Sequence, residues 1–292
     1  MTTDMIFKAA VVQMRSGIRM EANIDALTAL VADAAKAGAD YIQTPEMTGL
    51  VQRDRKAFFE AAHPKESDPL MKAAAALAKK HGVVLHIGST PILLGGDKAA
   101  NRAVVFGPDG DRIAVYDKIH MFDVDLDNGE SWRESAVYEP GRSGVMVDVL
   151  GARFGLGICY DCRFPALHNA YAKAGVSVLT SPSCFTRQTG RAHWHVLMRS
   201  RAIENGAFMI SAAQGGDMED GRETYGHSII VNPWGEVLAE VVGEEPGMAV
   251  ADINLADVAA ARAKVPNLVN QRAFDLQMAN LDGTDNQMAA AS

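Results

Sequence analysis

The chain has 292 residues, 48% of them hydrophobic and 22% charged, with a formal net charge of −8. That length holds one large domain or two small ones with a sizeable core, and the composition is that of an ordinary soluble globular protein. The acidic balance argues against a general nucleic-acid or membrane-surface binder. Three cysteines, Cys159, Cys162 and Cys184, are too few for a disulfide framework and fit a reducing compartment. The opening MTTDMIFK lacks a charged-then-apolar signal pattern, and no apolar run approaches membrane-spanning length. A soluble cytoplasmic protein is expected.

Residues 6–14 read as a buried strand. Residues 21–37 carry Ile24, Leu27, Leu30, Val31 and Ala34 at helical spacing, and Gly38 stops that helix. Residues 40–44 predict a second strand, ended by Pro45 and Glu46. A helix over 68–81 presents Leu70, Met71, Ala74, Leu77 and Ala78 on one face, and 83–88 is a third strand. This β-α-β-α-β order implies a parallel or mixed sheet with covering helices.

The rhythm then changes. Segments 101–106 and 112–116 flank the turn cluster GPDGD, and 145–149 and 153–158 flank residues 150–152, so two hairpins are expected. A helix (166–174), a strand (176–180), a helix (192–205) and a strand (207–213) restore the alternation. Strands at 227–231, 237–241 and 248–253 predict closing hairpins around NPWGE and GEEPG, and a last helix starts near Leu255. The expected fold class is α/β: two mixed sheets packed face to face with helices on the outer faces. No linker divides residues 1–276, which read as a single domain, and residues 277–292 read as a loosely ordered tail.

The most informative stretch is FGLGICYDCRFP, residues 154–165. Phe154, Leu156 and Ile158 alternate with Gly155, Gly157 and Cys159, so one strand face is packed and the other is cleared of side chains up to the thiol. Pro165 is suited to open the next helix. Cys159 thus stands at the carboxyl end of a strand, where open α/β sheets build their sites. Taken alone, a cysteine in an apolar strand reads as a small buried hydrophobe. The C-x-x-C spacing with Cys162 would suit a redox pair or half a zinc site, but there is no second C-x-x-C. A nucleophilic thiol needs a base and oxyanion donors. Glu46 in TPEM and Lys118 in YDKIHMFDVD both follow predicted strands. Singly they read as a loop acid and a solvated lysine; acid, lysine and thiol at three strand ends form a much more specific signal.

With these motifs the chain resembles the nitrilase superfamily of carbon–nitrogen hydrolases over nearly its whole length. The resemblance implies an α-β-β-α sandwich, with Glu46 as general base, Cys159 as nucleophile and Lys118 as stabiliser of the tetrahedral intermediate. Glu134 in WRES matches a second glutamate that positions substrate or base. TGRAHWHVLMRSRAIENGAF and YGHSIIVNPWGEVLAE resemble the Nit branch, amidases of ω-amides such as deaminated glutathione or α-keto acid amides. The implied reaction is hydrolysis of a small carboxylate-bearing ω-amide through a thioester, releasing ammonia, in a homodimer or higher homo-oligomer. Alternatives are an N-carbamoyl-amine hydrolase, aliphatic amidase or nitrilase with the same site, or a catalytically silent binding protein of this fold.

Tyr160, Phe185, Arg187, Thr189 and Arg191 are the residues expected to meet substrate. Arg191 stands where the Nit pattern usually has Pro, and both arginines flank the QTG turn into a helix, favourable to a carboxylate. No cofactor and no metal are expected: His193 and His195, as H-x-H in a helix, point apart. Thr189 or Gly190 reads as the cap of that helix, and His227 as a strand or core histidine.

Overall fold

A computed structural model describes residues 5–126, 129, 131–279 and 285–288. The first half supplies β1 (Ile6–Gln13), α1 (Met20–Lys36), β2 (Tyr41–Gln43), α2 (Arg55–Ala61), β3 (His63–Pro64), α3 (Pro69–His81), β4 (Val84–Gly95), β5 (Lys98–Phe106) and β6 (Arg112–Asp117). Short strands β7 (Asp123–Asp125) and β8 (Ser131–Arg133) pair with each other. Then come β9 (Val145–Val149), β10 (Ala152–Leu156), α4 (Pro165–Lys173), β11 (Val178–Thr180), α5 (Arg187–Asn205) and β12 (Phe208–Ser211). The ribbon β13 (Gly215–Asp217) and β14 (Glu223–Tyr225) precedes β15 (Ile229–Val231), β16 (Val237–Glu240), β17 (Gly247–Asn254) and α6 (Ala256–Lys264).

Two mixed sheets result, ordered β17-β1-β2-β4-β5-β6, with β3 beside β4, and β16-β15-β12-β11-β10-β9. Strand alternation explains why they stack. On β1, Phe7, Ala9 and Val11 face the second sheet, while Ala10, Val12 and Met14 join the core under α1 and α3. Phe154 of β10 packs between Phe7 and Tyr41 at ring distances of 6.0 and 4.8 Å. Behind the second sheet, Trp194, Met198 and Ala202 of α5 are completely buried. The layers are helix, sheet, sheet, helix, as the resemblance implies. No helix among the described residues is long and apolar enough to cross a membrane.

Most expected elements form within a few residues of their predicted bounds, because local signals set them. Asp68 accepts from the Met71 amide at 2.9 Å, Pro69 opens α3, and Gly82 closes it at φ 65°. Three expectations fail for tertiary reasons. GEEPG does not join a hairpin: β16 pairs with β15 and β17 with β1, so the segment crosses between sheets. Helix α5 starts at Arg187, five residues early in chain terms, capped by Thr186 rather than by Thr189 or Gly190. Gly190 lies inside it because a Cβ there would fall 2.2 Å from Tyr225 Cβ. Nor is the glycine face that leads to Cys159 cleared of side chains. Tyr171 fills the space beside Gly155, and the Thr180 carbonyl and Asp161 approach Gly157. The tail expected over 277–292 falls partly outside the described residues; 276–279 and 285–288 pair antiparallel.

Between the sheets a polar seam ties the layers. Gln43 Oε1 accepts from the Ala212 amide at 2.8 Å, and Tyr41 Oη lies 2.7 Å from His86 Nδ1. Complete burial pushes the His86 imidazole down to about 3, so it folds neutral. The unfolded chain, with an ordinary value of 6.5, takes up that proton first. Stability is therefore full above that value and declines below it, by about 1.4 kcal/mol per pH unit for each such histidine. His168, lowered to about 4, adds to the same limb. Urea midpoints measured from pH 7.5 to 5.0 should fall steadily, while the His86 ring shows no NMR titration over that range.

Candidate active site

Glu46, Lys118 and Cys159 come from three separate strand ends and converge. Glu46 follows β2, Lys118 follows β6, and Cys159 follows β10, with exposures of 3%, 2% and 7%. The Lys118 ammonium donates to Glu46 Oε1 at 2.8 Å and to Glu134 Oε1 and Oε2 at 3.0 and 2.8 Å. Burial alone would lower its proton affinity; the Glu134 and Glu46 carboxylates more than offset this and hold it well above the usual lysine range. Glu134, in the 3₁₀ turn Glu134–Ala136, is anchored by the Phe122 amide at 2.6 Å.

Asn101 of β5 was not foreseen. Its Nδ2 donates to Glu46 Oε1 at 2.9 Å and to Glu134 Oε1 at 3.0 Å, bridging the two acids beside the lysine. The available signal was an Asn inside the apolar run NRAVVF, a side chain that needs polar partners if buried. The Cys184 amide donates to Glu46 Oε2 at 2.8 Å. With Lys118 and Asn101 both on Oε1, and about two acceptor sites per carboxylate oxygen, one site on Oε2 remains.

Cys159 stands at φ 47°, a left-handed conformation that a non-glycine residue holds only when its surroundings enforce it. Its amide donates to the Pro182 carbonyl at 2.9 Å. Asp161 pins the turn: Oδ2 accepts from the Ile158 amide and Tyr116 Oη, Oδ1 from the His120 amide and ring. Burial, then the Glu46 charge, push the Cys159 thiol well up, partly countered by Lys118. The resting group is a thiol; for such a group to act as a nucleophile, a base would have to take its proton at the moment of attack. Cys162 faces the core, completely buried, and burial lifts its thiol to about 12. It shares the motif but not the cavity.

Glu46, Lys118, Glu134 and Cys159 open into a cavity of about 320 Å³. Tyr160, Phe185 and Thr189 line it, with Phe122, Trp132 and Tyr138 completing an aromatic wall. Arg187 and Arg191 do not line it. The Arg187 guanidinium is taken by Glu244, Asp217 and Glu223 at 2.6–2.8 Å, and Arg191 points to solvent on α5. The arginines that do face the cavity include Arg163 and Arg222. Arg222 pairs with Asp220 at 2.8 Å and stacks on Trp132. Arg163 lies over the Phe185 ring and meets His193 Nδ1 at 3.3 Å, with no carboxylate partner among the described residues.

Comparison with known proteins agrees with this geometry. The carbon–nitrogen hydrolase family matches residues 8–263. The omega-amidase NIT2 of Homo sapiens is 36% identical over 270 residues, covering 92% of this chain and 96% of its own. The deaminated glutathione amidase of Synechocystis is 34% identical over 267 residues, covering 90% and 97%. Among solved structures, Saccharomyces cerevisiae Nit3 superposes with a TM-score of 0.82 at 30% identity, covering 92% of this chain and 97% of that one. The C. elegans NitFhit protein gives 0.86 at 33%, covering 93% of this chain and 66% of that longer one. The chain belongs to the carbon–nitrogen hydrolase family, on the Nit branch of the nitrilase superfamily. It is an amidase, a hydrolase of carbon–nitrogen bonds other than peptide bonds.

The bridging amide makes a testable demand. Asn101→Ala should lower kcat by about 10–100-fold, the two acids losing a shared donor. Cys162→Ala should leave turnover within about threefold of wild type, since it fills only core space. Steady-state kinetics on both variants, after a fold check by circular dichroism, decides each.

Proposed function

We propose that this amidase hydrolyses small ω-amides bearing a carboxylate at the far end, through a thioester on Cys159 with release of ammonia. The observation that carries the reading is the single acceptor site left on Glu46 Oε2, on the side shared with Cys159 through the Cys184 amide. The names of two relatives, omega-amidase and deaminated glutathione amidase, support the substrate class. A cytoplasmic homo-oligomer belongs to the same reading.

In this mechanism Cys159 Sγ attacks the amide carbon while its proton passes to Glu46. The carbonyl electron pair moves to oxygen, which the Lys118 ammonium and the Tyr160 N–H meet; one such donor is worth about 3 kcal/mol. The intermediate collapses by breaking the C–N bond as Glu46 returns the proton to nitrogen, and ammonia leaves. Water then attacks the thioester with its proton passing to Glu46, and the sulfur departs and recovers that proton. Lys118 stays an ammonium throughout, because two carboxylates hold it charged. Glu134 acts through Lys118, fixing its aim.

Cys159→Ala should abolish turnover, and a substrate pulse on wild type should leave an acyl mass on the Cys159 peptide alone, an adduct that Glu46→Gln, lacking the base, should fail to form. An active Cys159→Ala protein would sink the reading. A panel of amides, nitriles and carbamoyl amines with ammonia as readout separates it from the other reactions of the superfamily.

Arg163 is a cation placed to meet the far carboxylate: it faces the cavity, lies over the Phe185 ring and has no acid partner among the described residues. Arg163→Ala should raise KM for an acidic ω-amide about tenfold, about 1.4 kcal/mol, and scarcely alter a neutral short amide. Equal effects on both substrates would reject this anchor.

A further inference from the structure

Outside the cavity, three metal-ligating side chains from three separate segments meet. His195 projects from α5, His227 from the loop between β14 and β15, and Glu240 ends β16. Glu240 Oε1 lies 3.0 Å from His195 Nε2 and 2.6 Å from His227 Nδ1, and the three ligating atoms all fall within 4.8 Å of one another. The group is half-buried: side-chain exposures are 35%, 19% and 20% for His195, His227 and Glu240. An ion can reach it from solvent, yet it is partly shielded from water. His193, two residues before His195, turns away to Arg163, so the H-x-H motif contributes one ring only.

The second imidazole is held in place by backbone constraint. His227 stands at φ 58°, a strained setting, with Trp194 Nε1 donating to its carbonyl at 2.7 Å and its amide donating to the Gly243 carbonyl at 3.1 Å. Tyr225 stacks on its ring at 4.4 Å and 24°, limiting rotation. Strain at a half-buried histidine aimed at a carboxylate, where a second histidine also aims, is more order than a surface ion pair needs.

We propose that His195, His227 and Glu240 form a structural binding site for a divalent transition-metal ion, zinc in the first instance. Two imidazole nitrogens and one carboxylate oxygen suit zinc or cobalt rather than magnesium or calcium, and leave a fourth position for water. Metal–ligand bonds of about 2.0–2.1 Å put tetrahedral ligand atoms about 3.4 Å apart. The 2.6 and 3.0 Å separations at Glu240 Oε1 are shorter than that spacing, so the carboxylate would draw back from both rings to admit the ion. The ion would replace the protons now shared at Glu240 Oε1. None of the three lines the substrate cavity, so the metal takes no part in amide hydrolysis. It would brace the wall behind it: Tyr225 stacks on His227 and packs against Gly190, while its neighbour Thr224 and α5's Thr189 face the cavity.

The test uses the full chain stripped with a chelator and titrated with Zn²⁺ against a chromophoric competitor. Wild type and Cys159→Ala should each bind one ion per chain, the second protein excluding capture by the active-site thiol. His195→Ala and Glu240→Gln, both at half-exposed positions and checked for fold by circular dichroism, should weaken binding by about tenfold or more. Zn²⁺ should raise the Tm of wild type and Cys159→Ala but not of these two. Co²⁺ should give visible bands of a tetrahedral nitrogen–oxygen site, lost in Glu240→Gln. Absence of binding, binding indifferent to both substitutions, or binding lost in Cys159→Ala would each overturn the site; the first would leave a metal-free hydrogen-bonded His–Glu–His cluster.

Discussion

The site depends on one buried ammonium between two carboxylates. Lys118 is 2% exposed, and its side chain is stable there only because Glu46 and Glu134 both accept from it. Removing either acid would leave part of a charge uncompensated in a low-dielectric interior, a loss of several kcal/mol. The same contact organises three otherwise unrelated loops: the Pro45 turn, the segment after β6, and the 3₁₀ turn at Glu134. Burial first, and then the Glu46 charge, keep the neighbouring thiol protonated, with Lys118 opposing. Glu46 thus both helps hold the lysine in place and disfavours the thiolate beside it.

That arrangement needs both sheets. Glu46 lies beyond β2 of the first sheet, whereas Cys159 and Cys184 lie beyond β10 and β11 of the second, and each of these strands runs parallel to a neighbour. The parallel strands of the two layers bring their carboxyl ends to one rim of the sandwich. The Phe7, Tyr41 and Phe154 contact sets the spacing of the layers, and the Gln43–Ala212 bond fixes their register next to the site.

How much of this was legible in the chain follows from the range of each interaction. Strand and helix periodicity is local, as is the stop at Gly38, which stands at φ 85° just past α1, and these read correctly. The acid, lysine and thiol stood out because each follows a strand. Asn101 did not, since nothing beside it in sequence reveals that its partners lie 55 and 33 residues away. Arg187 misled for a related reason: a cation at a helix start suggests an anion site, but Asp217, Glu223 and Glu244 claim it from distant segments. Glycine was the hardest to read. Gly155, Gly157 and Gly190 look alike in sequence as open space or caps, yet each marks a place already filled by a neighbour.

The Cys184 amide has a consequence for how this position can vary. Its N–H, and not its thiol, holds Glu46 Oε2. The side chain at 184 can therefore change in size or polarity, within the limits of the cavity wall, without disturbing that bond. Only proline, which lacks the hydrogen, would break it. Position 184 is thus chemically permissive and sterically selective, a point where the shape of the cavity can drift while the Glu46 carboxylate stays fixed.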